Sequence, residues 1–136
     1  MSDRLKKPVI FLITFFVIMA LFFLFKKKNI CKNKQATSFK LENKNYCLLV
    51  ADNSFEWSRG LMNYRKPVDF DGMIFIFPNK EIRSFWNMDT FIDLKLYWLN
   101  DEKIVGKSDL LSIEKTKDPL YVSSPKAVNK VIELIK

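Results

Sequence analysis

Met73-Ile74-Phe75-Ile76-Phe77 runs apolar through five consecutive positions. Successive side chains of a strand point to opposite faces, so this run presents apolar surface on both. Such a strand belongs at the centre of a sheet with cover on each side. Everything else in the chain has to supply that cover, and the surrounding residues 72–99 supply much of it as strand. Residues 82–86 read as a strand, Asn87-Met88-Asp89-Thr90 as a bend, and 94–99 as a second strand. In the latter, Leu94, Leu96 and Trp98 share one side, and Lys95, Tyr97 and Leu99 the other.

Upstream, residues 38–41 and 44–51 read as a hairpin turning at Glu42-Asn43. Asn53 and Glu56 have capping-box spacing, which predicts a short helix over 54–62. Asp69 and Asp71 read as turn residues before Gly72. Downstream, Asn100-Asp101-Glu102-Lys103 turns the chain into a strand over 104–108. Residues 110–118 read as irregular, 120–123 as a short strand, and 128–135 as the last one. The expected fold is mainly β, a β-rich α+β domain: a small, barrel-like antiparallel sheet with one or two short helices.

Residues 8–25 (PVIFLITFFVIMALFFLF) are eighteen positions without a charge. As a helix they span roughly 27 Å, close to the hydrocarbon thickness of a bilayer. Basic residues flank both ends, and no small-residue cleavage site follows, which predicts an uncleaved single-pass anchor. The chain then divides into a basic tail (1–7), a transmembrane anchor (8–25), a basic linker (26–37) and a β-rich domain (38–136).

The anchor also explains the charge. Net charge is +8, a value that would suit nucleic acid. Residues 1–37 hold eight Lys/Arg against one acid; residues 38–136 hold fifteen against fourteen. The excess flanks the apolar segment, so it points to a lipid bilayer and no nucleic acid. Orientation is contested. Seven Lys follow the segment within about twenty residues and favour a cytoplasmic domain. Arg4, Lys6 and Lys7 before it resist translocation.

The chain has no His, which excludes Ser-His-Asp and Cys-His catalysis and any His-containing zinc site. Cys31 and Cys47 are too few for a four-thiolate site and lack C-x-x-C spacing. They read as one exposed linker thiol and one buried strand thiol; pairing is the alternative for a domain outside the cytoplasm. The three glycines are too far apart for a phosphate loop. No cofactor, metal site or catalytic residue is expected.

Candidate binding residues remain. Asp89 and Asp93 end an aromatic strand, and two carboxylates at suitable separation serve glycoside hydrolysis or hold a hard cation. Against that stand a turn role for Asp89 and a surface pair between Asp93 and Lys95. Phe85, Trp86, Tyr97 and Trp98 suit either a stacking platform for sugar rings or the core. Alternation puts Phe85 and Trp86 on opposite faces, one inside and the other at least partly exposed. Arg59 and Arg65 suit a bidentate hold on carboxylate or phosphate, or ion pairs with Glu56 or Asp69. The expected ligand-binding set is Arg59, Arg65, Phe85, Trp86, Asp89, Thr90 and Asp93.

Arg59-Gly60-Leu61-Met62, Gly72-Met73-Ile74-Phe75-Ile76-Phe77 and Ser84-Phe85-Trp86-Asn87-Met88-Asp89-Thr90 follow one another in order. Tyr121-x-x-x-Pro125 and Val131-Ile132-Glu133-Leu134 come later. These segments resemble the R-G-L-M, G-M-L-F-x-F, F-W-M-x-N-T, y-x-x-x-p and V-L-E-L signature of the family called domain of unknown function 192. The resemblance covers about residues 46–134. It implies a small β-rich domain, often exported or anchored behind an N-terminal apolar segment, and carries no established activity. It favours an extracytoplasmic domain on a single-pass cell-membrane anchor. Asp89 stands where the family has Asn, and Asp93-Leu94-Lys95 where it has P-L-D. Tyr64 and then Arg65 stand near its usual Arg. The family's closing segments beyond V-L-E-L are absent, so the domain closes differently, is incomplete, or takes an edge from a partner.

The functional expectation is a non-catalytic ligand- or partner-binding module of the cell envelope, with an envelope polysaccharide or protein as partner. The alternatives are an envelope polysaccharide hydrolase using paired carboxylates, and an assembly module pairing through a sheet edge.

Overall fold

A computed structural model of the chain describes residues 31–136. The basic tail, the anchor and the first part of the linker, residues 1–30, lie outside the described residues. Among the described residues no helix is long and apolar enough to cross a membrane.

The fold is mainly β. Its strands are β1 (Thr37–Leu41), β2 (Lys44–Ala51), β3 (Gly72–Glu81), β4 (Ser84–Trp86), β5 (Leu94–Asn100), β6 (Lys103–Leu110), β7 (Tyr121–Ser123) and β8 (Val128–Ile135). Two short helices, α1 (Ser54–Arg59) and α2 (Ile113–Thr116), interrupt them. Six strands form one sheet in the order β1-β2-β3-β8-β5-β6, and β4 and β7 pair separately.

The apolar run sits in β3 between β2 and β8, as its two-sided character requires. Met73, Phe75 and Phe77 enter one core with Leu94, Leu96, Trp98 and Val131. Ile74 enters the other with Leu48, Tyr97, Leu99 and Ile132. The alternation read in 94–99 is the one observed.

Two features depart from the antiparallel barrel. β2 and β3 are parallel, which needs a long crossover, and α1 with the loop to Asp71 provides it. The sheet is also not closed, since no pairing joins β1 to β6. It curls instead. Phe39 and Leu41 of β1 share the second core with Ile104 of β6. Lys107 Nζ on β6 reaches Glu42 Oε1 in the β1–β2 turn at 2.6 Å. Both unpaired edges carry lysines, Lys40 on β1 and Lys103 and Lys107 on β6, which discourage strand addition.

α1 is capped as its sequence demands. Asn53 Oδ1 accepts from Glu56 N at 3.1 Å, and Glu56 Oε2 accepts from Asp52 N at 3.0 Å. The helix stops at Arg59, before the expected 62, because Gly60 leaves helical geometry at φ 48°, ψ −134°. Trp57 ties it to the sheet: Nε1 donates to Ala51 O at 3.1 Å, and the ring lies 5.1 Å from Phe77. The stretch read as irregular holds α2.

Cys31 and Cys47 form a disulfide, which corrects the expectation of two separate thiols. The described part of the linker is folded onto the domain, and this brings Cys31 into place. Asn33 Nδ2 donates to Asp69 Oδ1 at 2.9 Å, its Oδ1 accepts from Gln35 N at 2.8 Å, and Ala36 is buried in the first core. With a sequence separation of 16, reduction is expected to cost about 3 kcal/mol. Denaturant midpoints of the full chain in detergent, with and without reductant, measure this. Coincident midpoints would contradict it.

Candidate functional site

The β4–β7 pair lies over the first core. Phe85 points inward, edge-on to Phe75 at 4.8 Å and to Trp98 at 5.7 Å. Trp86 faces the other way, 38 % exposed, with Tyr121 5.7 Å away. Asn87 then pins the end of β4. Fully buried, it donates to Leu111 O at 2.9 Å and Thr116 Oγ1 at 2.7 Å, and accepts from Leu120 N at 2.7 Å. The chain turns at Asp89, φ 51°, and Thr90 is buried behind it.

Glu133 lies below this turn. It belongs to the face of β8 that carries Val131, so alternation sends its carboxyl into the first core. It is 4 % exposed, and its Oε2 has no hydrogen-bond partner. Burial pushes the carboxyl up to about 8 from its ordinary 4.5, since no countercharge repays the lost hydration. A recess of about 30 Å³ opens over it, with room for one or two water-sized groups. Arg59, Gly60, Phe75, Phe85, Trp86 and Thr90 are among its walls. Gly60 keeps it open: a Cβ there would stand 3.3 Å from Phe75 Cζ and 4.0 Å from Glu133 Oε2.

The expected site residues therefore divide. Arg59, Phe85, Trp86 and Thr90 meet around this recess. Arg65, Asp89 and Asp93 do not. Arg65 lies over the Phe91 ring at 3.7 Å and pairs with Glu114 at 2.7 Å, not with Glu56 or Asp69. Asp93 pairs with Lys115, not Lys95, and accepts from Ser112 N at 2.9 Å. The Lys115 bond and the Ser112 N–H hold its carboxyl below the usual carboxylate range. Asp89 occupies an exposed turn, its carbonyl accepting from Asn63 N.

The other carboxylates are engaged separately. Glu56 caps α1, Asp69 holds Asn33, and Asp71 Oδ2 accepts from Cys47 N at 2.7 Å. Among the described residues no three His, Cys, Asp or Glu are grouped to hold a metal ion. A wider hollow of about 390 Å³ runs along α1 past Phe55 and Glu56, and Arg59 and Gly60 border both it and the recess.

Glu133 was missed as a candidate because its segment reads first as a closing strand. The signal was an acid on the inward side of an apolar alternation.

A family profile, DUF192 ("Uncharacterized ACR, COG1430"), matches residues 23–136. The chain belongs to the DUF192 family. Its signature segments converge on the recess: Arg59-Gly60-Leu61-Met62, Phe75, Phe85-Trp86, Thr90 and Glu133 all line it. No curated protein matches the chain. Two crystal structures share its fold. One is of a protein of unknown function from Novosphingobium aromaticivorans, 20% identical at a TM-score of 0.59, covering 72% of this chain and 70% of that one. The other is of a proposed transcription regulator from Sinorhizobium meliloti, 19% identical at a TM-score of 0.59, covering 72% and 76%.

Proposed function

We propose that this DUF192 member is a membrane-anchored, extracytoplasmic, non-catalytic binding module of the cell envelope. Its binding site is the recess over Glu133, with Trp86 and Arg59 at the rim. The observation that carries this is the unpartnered, buried Glu133 oxygen at the floor of a recess built from the family's own signature segments. Leaving a carboxyl oxygen unsatisfied in a core costs stability, and a ligand that supplies the missing donor recovers it. The partly exposed Trp86 offers the apolar contact of a binding hot spot. The anchor at residues 8–25 supplies the membrane, and the Cys31–Cys47 disulfide favours an oxidising compartment. An envelope polysaccharide or protein is the partner this location offers.

Two measurements test the reading. An impermeant reductant followed by an impermeant maleimide labels Cys31 and Cys47 in intact cells when the domain is outside. Labelling only after lysis would place it inside. Retention of the detergent-solubilised full chain on a purified envelope fraction should fall tenfold or more in Trp86→Ala. Unchanged retention by a folded variant would remove the recess from the function.

A further inference from the structure

The lining of the recess decides what kind of group belongs in it. Three of its neutral side-chain donors are already committed. Trp57 Nε1 donates to Ala51 O, Ser58 Oγ to Phe55 O, and Thr90 Oγ1 to Met88 O. None turns to Glu133 Oε2, and neither Arg59 nor Trp86 bonds it, which leaves the oxygen open to a donor from outside. The walls narrow the choice. Phe75, Phe85 and Trp86 are among the lining residues, and aromatic rings attract cations, most strongly where water is excluded. Size narrows it again. About 30 Å³ is room for one or two water-sized groups, which favours a small head group over a ring.

We propose that the recess over Glu133 receives a primary ammonium at the end of an unbranched alkyl chain, with Glu133 Oε2 as acceptor and the rings of Phe75, Phe85 and Trp86 as walls. The same chemistry is offered by a lysine side chain and by a free alkyl diamine. This inference rests on the recess being a binding site. When the ammonium enters, Glu133 gives its proton to solvent, and the pair left inside is ammonium and carboxylate. Arg59 is the one other charged group in the lining. The ladder neighbours of Glu133, Met73 on β3 and Leu96 on β5, are apolar. Proton release therefore belongs to Glu133.

The test uses the full chain in nanodiscs of zwitterionic lipid and follows tryptophan fluorescence, since Trp57 and Trp86 both line the recess. The probes are propylammonium, propanol, tetramethylammonium, 1,4-diaminobutane and a capped lysine amide. Propylammonium should saturate the signal, and its apparent affinity should rise about tenfold per pH unit from pH 6 until it levels near pH 8, where Glu133 ionises unaided. Propanol and tetramethylammonium should bind at least tenfold more weakly. Tighter binding of the lysine amide than of the diamine assigns the source to a protein side chain, and the reverse to a free amine. Glu133→Gln should abolish ammonium binding and its pH dependence. Where that variant fails to fold, the pH profile of the unaltered chain decides. Propanol binding as tightly as propylammonium, a flat pH profile, or unchanged binding in Glu133→Gln would each overturn the proposal. Loss of envelope retention in Trp86→Ala without any ammonium binding would remove the ammonium and leave the binding site standing.

Discussion

Gly72→Ala should abolish cooperative folding. Gly72 opens β3 and is paired on both sides, with Leu48 of β2 and Leu134 of β8. A Cβ at this position would lie 1.9 Å from the Glu133 carbonyl oxygen, 3.0 Å from the Glu133 carbonyl carbon and 3.1 Å from Leu134 Cα. All three are backbone atoms of β8, so no side-chain rotation relieves the clash. The strand itself must move, at the centre of the sheet and against both cores. Interiors this densely packed transmit such a shift and do not absorb it. Far-UV circular dichroism and denaturant unfolding of the full chain in detergent measure the outcome, and a variant with an unfolding midpoint near that of the unaltered chain would refute it. Gly106→Ala is the internal comparison. There a Cβ would meet Pro125 Cγ at 2.6 Å, a side chain held by a surface loop, so the loss should be much smaller.

Stability should fall steeply from weakly acidic to weakly basic pH, through Glu133 alone. Its carboxyl titrates at its ordinary 4.5 in the unfolded chain and at about 8 when folded. Below pH 4.5 both states hold the proton and nothing is lost. Between the two values the unfolded chain has released the proton and the folded chain retains it. The fold therefore weakens by about 1.4 kcal/mol per pH unit, roughly 5 kcal/mol in all, and levels off above pH 8. Asp93, Asp101 and Asp109 are shifted the opposite way. Their contribution is lost as pH falls below the ordinary Asp value, so the two effects occupy separate windows. Denaturant midpoints at pH 5 and pH 8 measure the slope, and Glu133→Gln should flatten it. Equal midpoints for the unaltered chain at the two pH values would show that the carboxyl is solvated.

Local pattern made much of this fold legible. The apolar run at Met73–Phe77 demanded a central strand. The alternation from Leu94 to Leu99 placed Trp98 in one core and Tyr97 in the other, and Asn53 with Glu56 marked the start of α1. What stayed hidden depends on partners distant in sequence. The parallel β2–β3 register follows from how α1 and its loop pack, and no short spacing encodes it. Cys31 meets Cys47 because Asn33 is held by Asp69, 36 residues away. The expected binding residues are split by the fold. Arg59, Phe85, Trp86 and Thr90 share a recess, whereas a left-handed turn exposes Asp89 and Lys115 draws Asp93 aside. Glu133, which gives the recess its chemistry, looked like one charge in a closing strand until its oxygen proved to have no partner.

The disulfide also sets a leash. Under the proposed anchoring of residues 8–25 in a bilayer, only residues 26–30 would separate the anchor from Cys31, and Cys31 is fastened to the middle of the domain through Cys47 on β2. Six peptide steps span at most about 20 Å when fully extended. A cystine-linked domain anchored in that way would be confined to a shallow layer above the lipid headgroups. Whatever such a domain bound would have to come to the membrane surface.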